Sequence, residues 1–431
     1  MSRTVARVLL IAAVSIACET TVLLLMPAHD STDSLSYIIP ARNLAAGRGF
    51  RDIDPPAYLL APPGYPIREG PDVIRTPGYP LVIALFGLIG TIVFQHLLVV
   101  AMSVALYFFA RRATRSDNAA LFAALTFACF LPMARTANVL LSEVPFIATL
   151  FAAVIAVDAA TRRDSVPLAV FSGILLGAAV LIRPAGIYFF IPVTAVLFVA
   201  RKPRVAAAFA IAALLLPAAW IARNNRLAGA PAICSVAGEN LLLHWGGAVE
   251  VTRDWSHLDR LMATEAQSGY RAPIHRRRLV LFERAMELAR ADGVDPTAVS
   301  SAVRSRYEAR LARQILFAQP IVTAELVMSA AIEVVFNAPA LALTEYVRIP
   351  TPIAIVIVVI AFAFVVAGIV SIARRDRTLA LLLAAGIFYF SFMTLPESDI
   401  RFSIVFAPFY CIAFAAGIEA LARRRGSKGP S

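Results

Sequence analysis

The chain has 431 residues, of which 59% are hydrophobic and only 16% charged. A soluble domain carries about 25% charged and 45–50% apolar residues, so the excess excludes one large water-soluble core and points to a bilayer. The net charge of +12 does not point to nucleic acid: of the 40 basic residues only Lys202 and Lys428 are lysine, the arginines fall in short clusters between apolar runs, and no nucleic-acid motif appears. Cys18, Cys129 and Cys411 sit inside apolar runs and Cys234 stands alone, which gives neither a disulfide framework nor a CxxC metal site.

In chain order, ten stretches approach the roughly 20 apolar residues that a crossing helix needs: 5–26, 81–109, 119–137, 144–160, 166–182, 185–200, 205–222, 352–373, 378–395 and 402–421. The shortest two flank Arg183-Pro184, where proline permits a break. Every alternate loop is basic. Arg3 and Arg7, Arg111 to Arg115, Arg162 and Arg163, Arg201 to Arg204, Arg374 to Arg377 and the tail from Arg423 to Lys428 all fall on one side. The positive-inside rule then puts both termini in the cytoplasm. The first apolar run continues through Leu23-Leu24-Leu25, which argues against a cleaved signal peptide despite Ser15-Ile16-Ala17-Cys18.

The expected fold is an all-α polytopic membrane protein in three parts. Residues 1–222 form an N-terminal module of seven spans, including an outer loop at 27–80. Residues 223–351 form an extracytoplasmic or interfacial region, and 352–431 a C-terminal module of three spans with a basic tail. Within the middle region, 275–316 is rich in Arg and Glu with helical periodicity. The stretch 315–347 is apolar but carries Glu325, Glu333 and Glu345. Carboxylates at mid-span are costly, so it reads as amphipathic and interfacial.

Polar residues collect on the outer side. Thr32 or Asp33 suits the N-cap of a helix over about 35–46, with Gly47 as its stop. Glu143 opens the fourth span, where it complements the helix dipole; either acid can be read as a cap alone. Arg75, Arg135, Arg183, Arg223 and Arg401 lie at outer span ends. Snorkelling accounts for such residues one at a time, but Arg135, Arg183 and Arg401 run against the positive-inside bias. Guanidinium forks suit phosphate, so an anionic ligand is expected at that face. Glu397, Asp399 and Arg401 lie together between the last two spans. Glu19, inside the first span, is a functional candidate by default and could neutralise one of the outer arginines. His96 reads as a packing residue. A divalent cation is the one cofactor the acidic pair Asp33 and Glu143 would suit; the five histidines show no metal-ligand spacing.

These residues carry a resemblance. The stretches DSLSYIIPARNLAAGRGF (33–50), RTPGYPLVIALF (75–86), LLSEVPF (140–146) and DIRFSIVFAPF (399–409), with RPAG (183–186) and WIARNNRLAG (220–229), resemble the GT-C glycosyltransferases. That group contains the protein O-mannosyltransferases, the lipid A aminoarabinose transferases and Rgt-type bacterial members. The resemblance implies a polyprenyl-phosphate-sugar donor and a glycan, lipid or protein acceptor at the extracytoplasmic face of a bacterial inner membrane. It implies Asp33 as the first-loop catalytic residue, four before Tyr37, and Glu143 as the second acidic residue. It implies Arg183, Arg401, Arg135 and Arg223 as phosphate ligands, with Tyr37, Arg75 and Glu397 as further substrate contacts. Many members have Asp-Glu where this chain has Asp33-Ser34, which tells against a metal-binding version of the site. The implied chemistry is a single inverting displacement. The readings it competes with are a transporter or flippase and a non-catalytic partner in envelope assembly.

Overall fold

Among the described residues, seven helices are long and apolar enough to cross a bilayer: Arg3–Leu25, Gly78–Thr114, Glu143–Arg163, Pro203–Ala228, Pro320–Val347, Thr351–Ala373 and Ile400–Arg423. A pair bent by 47°, Asp117–Ala128 with Leu131–Ala137, gives an eighth if counted as one span. The computed structural model describes residues 2–26, 32–54, 68–252, 272–393 and 400–426. The protein is a multi-pass membrane protein of the all-α class. Its helices in the first half are α1 (Arg3–Leu25), α2 (Thr32–Ala45), α3 (Gly78–Thr114), α4 (Asp117–Ala128), α5 (Leu131–Ala137), α6 (Glu143–Arg163), α7 (Val166–Ile182), α8 (Phe190–Val199) and α9 (Pro203–Ala228).

Over their described residues the ten expected spans fall on helices, but one, 119–137, is the bent pair and three are shorter than a full crossing, so seven or eight rather than ten attain span length. Val166–Ile182 has 17 residues, and Pro184–Val199 and Arg377–Phe392 are also short apolar helices. At 1.5 Å per residue, 17 residues reach about 25 Å, short of a ~30 Å hydrocarbon core. Conversely, Pro320–Val347, expected at the interface, attains span length. Its mid-helix carboxylate is met locally, since Asn337 Nδ2 donates to Glu333 Oε1 at 2.8 Å.

Two features were not expected. The 37-residue α3 breaks at Gly87, whose φ of 70° and ψ of 179° only glycine adopts readily. The piece 78–86 therefore turns away from 88–114, and Tyr79 Oη comes back to donate to Gln95 Oε1 at 2.8 Å. The first loop also carries an antiparallel two-stranded ribbon, β1 (Arg51–Asp54) against β2 (Arg68–Pro71).

The basic loops share one end of the bundle. Arg112 makes a bidentate pair with Asp158, both bonds 2.8 Å, and reaches Asp376 at 2.7 Å. Arg7 and Arg111 meet Asp117, Lys202 meets Asp164, and Arg375 donates to Thr114 O. The main core, with Tyr107, Phe127, Phe146, Phe151 and Phe409 fully buried, fills the bundle between this end and the other. Within 223–351, the helices Ala272–Ala291 and Ser301–Ala318 pack with residues 241–249 around Leu242, Val249, Leu281, Met286 and Leu311, a separate cluster.

Candidate functional site

The site begins with α2. Tyr37, Ile38 and Ala41 are buried against Tyr79, Ile83 and the segment 139–141. Ser34 Oγ donates to Leu140 O at 3.1 Å, and Tyr37 Oη lies 3.3 Å from Ser142 Oγ. These contacts fix the helix on the entry to α6 and set Asp33, in its first turn, beside two guanidiniums. Arg75, just before α3, donates from Nη2 to Asp33 Oδ1 at 2.8 Å and from Nε to Ser36 Oγ at 2.8 Å, with its guanidinium 5.0 Å from the Tyr37 ring. Arg401, in the turn Ile400–Ser403, donates from Nη1 to Asp33 Oδ2 at 3.2 Å.

A second ion pair adjoins the first. Glu143 is wholly buried at the start of α6, and Arg183 Nη1 lies 2.8 Å from its Oε1. The contact is close, but it is not aligned as a hydrogen bond; the aligned bond from Arg183 Nη1 goes to Ser142 Oγ at 3.2 Å. Ser142 thus joins the pairs, touching Tyr37 on one side and Arg183 on the other. Arg183 reaches this position because the chain turns extended at the end of α7, ahead of Pro184.

Among the described residues, three guanidiniums face two carboxylates. Burial works against ionisation of Asp33, but Arg75, Arg401 and Arg183 outweigh it and hold the carboxyl below the usual aspartate range. The Asp33 side chain is 37% exposed, so the cluster is open to a ligand. An anion that meets these forks finds bidentate donors already aimed.

The remaining expected residues stand apart. Arg135 stacks 4.6 Å from the Tyr346 ring. Arg223 is taken up by the first loop: it donates to Asp72 O and Phe50 O and packs 4.4 Å from the Trp220 ring. Glu397 lies outside the described residues. Nearby, Asp72 is buried with Asp52 as a neighbour; burial, reinforced by that like charge, raises its carboxyl to about 7.

Among the described residues Glu19 meets no arginine, contrary to expectation. His96 Nδ1 lies 2.5 Å from Glu19 Oε2, and His96 Nε2 lies 3.1 Å from Asn138 Oδ1. Asn138 Nδ2 donates to Val22 O and Met26 O, which leaves Oδ1 as acceptor and makes His96 Nε2 the donor. One proton is therefore shared between Glu19 and Nδ1, and the pair is neutral overall. Gln95 Nε2 donates to Ala137 O and Val139 O at 2.8 and 2.9 Å. Adjacent residues of α3 thus hold the segment that leads to Ser142 and Glu143. Ser142 has no role in the sequence reading; its place immediately before Glu143 in LLSEVPF is the available signal.

Among the described residues no three of His, Cys, Asp and Glu gather as a metal-binding group. Asp33 and Glu143 each face guanidinium, a donor set that does not suit a divalent cation.

Residues 75–222 match the family described as dolichyl-phosphate-mannose-protein mannosyltransferase. No curated protein matches the chain. Among solved structures, the oligosaccharyltransferase of Archaeoglobus fulgidus in complex with Zn and sulfate is 13% identical, with a TM-score of 0.52 over 98% of this chain. The same enzyme tethered to an acceptor peptide gives 12% identity and 0.50 over 98%. The chain spans about half the length of that enzyme, 50% in each case. ArnT from Cupriavidus metallidurans bound to undecaprenyl phosphate is 15% identical, with a TM-score of 0.38 over 99% of this chain and 79% of its own. Residues 75–222 thus resemble the dolichyl-phosphate-mannose-protein mannosyltransferase family, and nearly the whole chain shares the fold of the Archaeoglobus fulgidus oligosaccharyltransferase.

Proposed function

We propose that this protein is a membrane glycosyltransferase that moves a sugar from a polyprenyl-phosphate donor to a hydroxyl of an envelope acceptor, with inversion at the anomeric carbon. The observation that carries this reading is the Asp33 carboxylate held between Arg75 and Arg401, with Arg183 and Glu143 adjoining. Residues from distant parts of the chain make one cationic, partly open cluster at the end of the bundle opposite the basic loops. By the positive-inside rule those loops face the cytoplasm, so the cluster faces outward, where lipid-linked rather than nucleotide-linked sugars are available. Bacterial inner-membrane residence follows the same reading.

In the reaction, the acceptor oxygen attacks the anomeric carbon. Its proton passes to Asp33, and the bond from that carbon to the phosphate oxygen breaks with its electron pair on the phosphate. Arg401, Arg75 and Arg183 stabilise the charge that develops there, where preorganised donors contribute most. In the resting state Asp33 is ionised but weakly basic. A donor phosphate that draws Arg401 or Arg75 toward itself removes part of the field on Asp33 and strengthens it as a base when substrate is present. Glu143 holds Arg183 in place.

Purified protein in proteoliposomes with labelled polyprenyl-phosphate sugars and a membrane extract as acceptor tests the reading. Label transferred to an acceptor, with the anomeric configuration inverted by NMR, is the expected result. Label that crosses the vesicle without leaving its lipid would establish a flippase instead.

A further inference from the structure

A cavity lies away from the arginine–carboxylate cluster. It holds about 540 Å³ between the helices Thr351–Ala373 and Ala407–Gly426, toward the end where the basic loops gather. The two helices touch at Gly368, Ala413 and Gly417, where neither glycine has room for a Cβ. Small residues of this kind let helix backbones meet in a membrane. Beyond that contact lies a groove with a wall of Phe364, Ala367, Ser371 and Arg374, spaced three and four residues apart on one helix face. At its mouth stand Arg374, Arg375 and Arg423.

The charges at this mouth are poorly balanced. Arg423 Nε donates to Glu419 Oε1 at 2.8 Å, and Arg375 donates to the carbonyl of Thr114 at 3.0 Å. Arg374 is exposed and makes no side-chain bond among the described residues. The neighbouring Asp376 is already bound by Arg112. Three guanidiniums against one carboxylate leave a net charge of +2 over an apolar trough that opens to the hydrocarbon, since Ala363, Ala367 and Val370 are all exposed.

We propose that this groove is a binding site for an anionic glycerophospholipid. Its phosphate sits between Arg374 and Arg423, and an acyl chain runs along Phe364 and Ala367. Charge complementarity at the mouth and the apolar wall select a molecule with both features, and basic pockets between spanning helices bind anionic headgroups in this way. The site lies at the opposite end of the bundle from Asp33, in the other leaflet from the proposed sugar donor, so it is a lipid site distinct from the catalytic one.

Native mass spectrometry of the full chain released from nanodiscs tests this, with phosphatidylglycerol and phosphatidylcholine of identical acyl chains as competing probes. One phosphatidylglycerol retained per protein, at least tenfold over phosphatidylcholine, is expected. Arg374→Gln with Arg423→Gln should abolish that preference. Ala367→Trp, which fills the groove at an exposed position without changing charge, should do the same. Arg115→Gln with Arg163→Gln, at the same end but outside the groove, should leave it intact. Equal retention of the two lipids overturns the proposal. So does retention that survives Ala367→Trp, since that would be general surface attraction. Displacement of phosphatidylglycerol by undecaprenyl phosphate at equal concentration would reassign the groove to the donor lipid.

Discussion

Arg401 and Asp33 lie 368 positions apart in the sequence, yet Nη1 of one bonds Oδ2 of the other at 3.2 Å. The two ends of the chain therefore meet at one carboxylate. Arg75 takes the remaining oxygen of that carboxylate, so its charge is matched on both sides before any substrate arrives.

Asp33→Asn removes the proton acceptor and keeps the side-chain shape. Transfer of labelled sugar should fall by roughly 10²–10⁴-fold, with the variant still eluting as a folded species in detergent. Turnover within a few-fold of wild type would assign the proton to another group.

The arginines that flank Asp33 keep it charged at lower pH than an ordinary aspartate. Its acidic limb in a rate profile should therefore lie below the usual carboxylate value of about 4, and activity should not decline on its account as pH falls from 7 to 5. Arg401→Gln withdraws one of the stabilising charges. The acidic limb of its residual transfer should move upward, and an unmoved limb would mean that Arg401 exerts no field on the base.

Arg183→Gln leaves Glu143 buried beside a neutral partner. Breaking a buried pair in this way costs about 3–5 kcal/mol, which should appear as a lower thermal midpoint in detergent. Glu143→Gln in the same chain should restore most of that loss, because no charge is then left uncompensated. Activity should remain low in both variants, since Arg183 is also proposed to bind phosphate.

The folded state holds the proton of Asp72 up to about pH 7, whereas an unfolded chain releases it near 4. The folded form binds more protons between those values, so stability falls as pH rises from about 4 to 7 and levels off above. Asp72→Asn keeps an oxygen for the Ile74 N–H, which Oδ1 accepts at 2.7 Å. It should flatten this window and raise stability at pH 8 by on the order of a few kcal/mol. Thermal scans from pH 5 to 8 decide it.

Because Glu19 and His96 share one proton, Glu19→Gln should be tolerated: its amide can donate to Nδ1 and leave Nε2 as the donor to Asn138. Glu19→Ala strands Nδ1 in the apolar interior at a cost of about 1–3 kcal/mol. A melting midpoint for the glutamine variant as low as that of the alanine variant would show that a single donated hydrogen to Nδ1 does not replace the shared proton.

The all-α membrane class, most of the apolar helices and the shared end of the basic loops were legible in the sequence, because hydropathy runs and charge clusters report directly on bilayer physics. The break at Gly87 was not, since a glycine within an apolar run does not reveal its φ. The ribbon of β1 and β2 is four residues a side and polar, too short to show a period. Arg223 and Arg401 look alike as outer arginines, yet one braces the first loop on two carbonyls and the other reaches Asp33. Only the tertiary path separates them. Glu19 found a histidine rather than an arginine because Gln95 and His96 lie on the stretch of α3 that follows the Gly87 break, a register that span counting does not resolve.

Synthesis order gives the Asp33–Arg401 contact a biological meaning. The ribosome delivers residues 33, 75, 143 and 183 well before the guanidinium at 401 emerges. A nascent chain from which residue 401 has yet to emerge thus holds Asp33 with one guanidinium fewer than the finished fold.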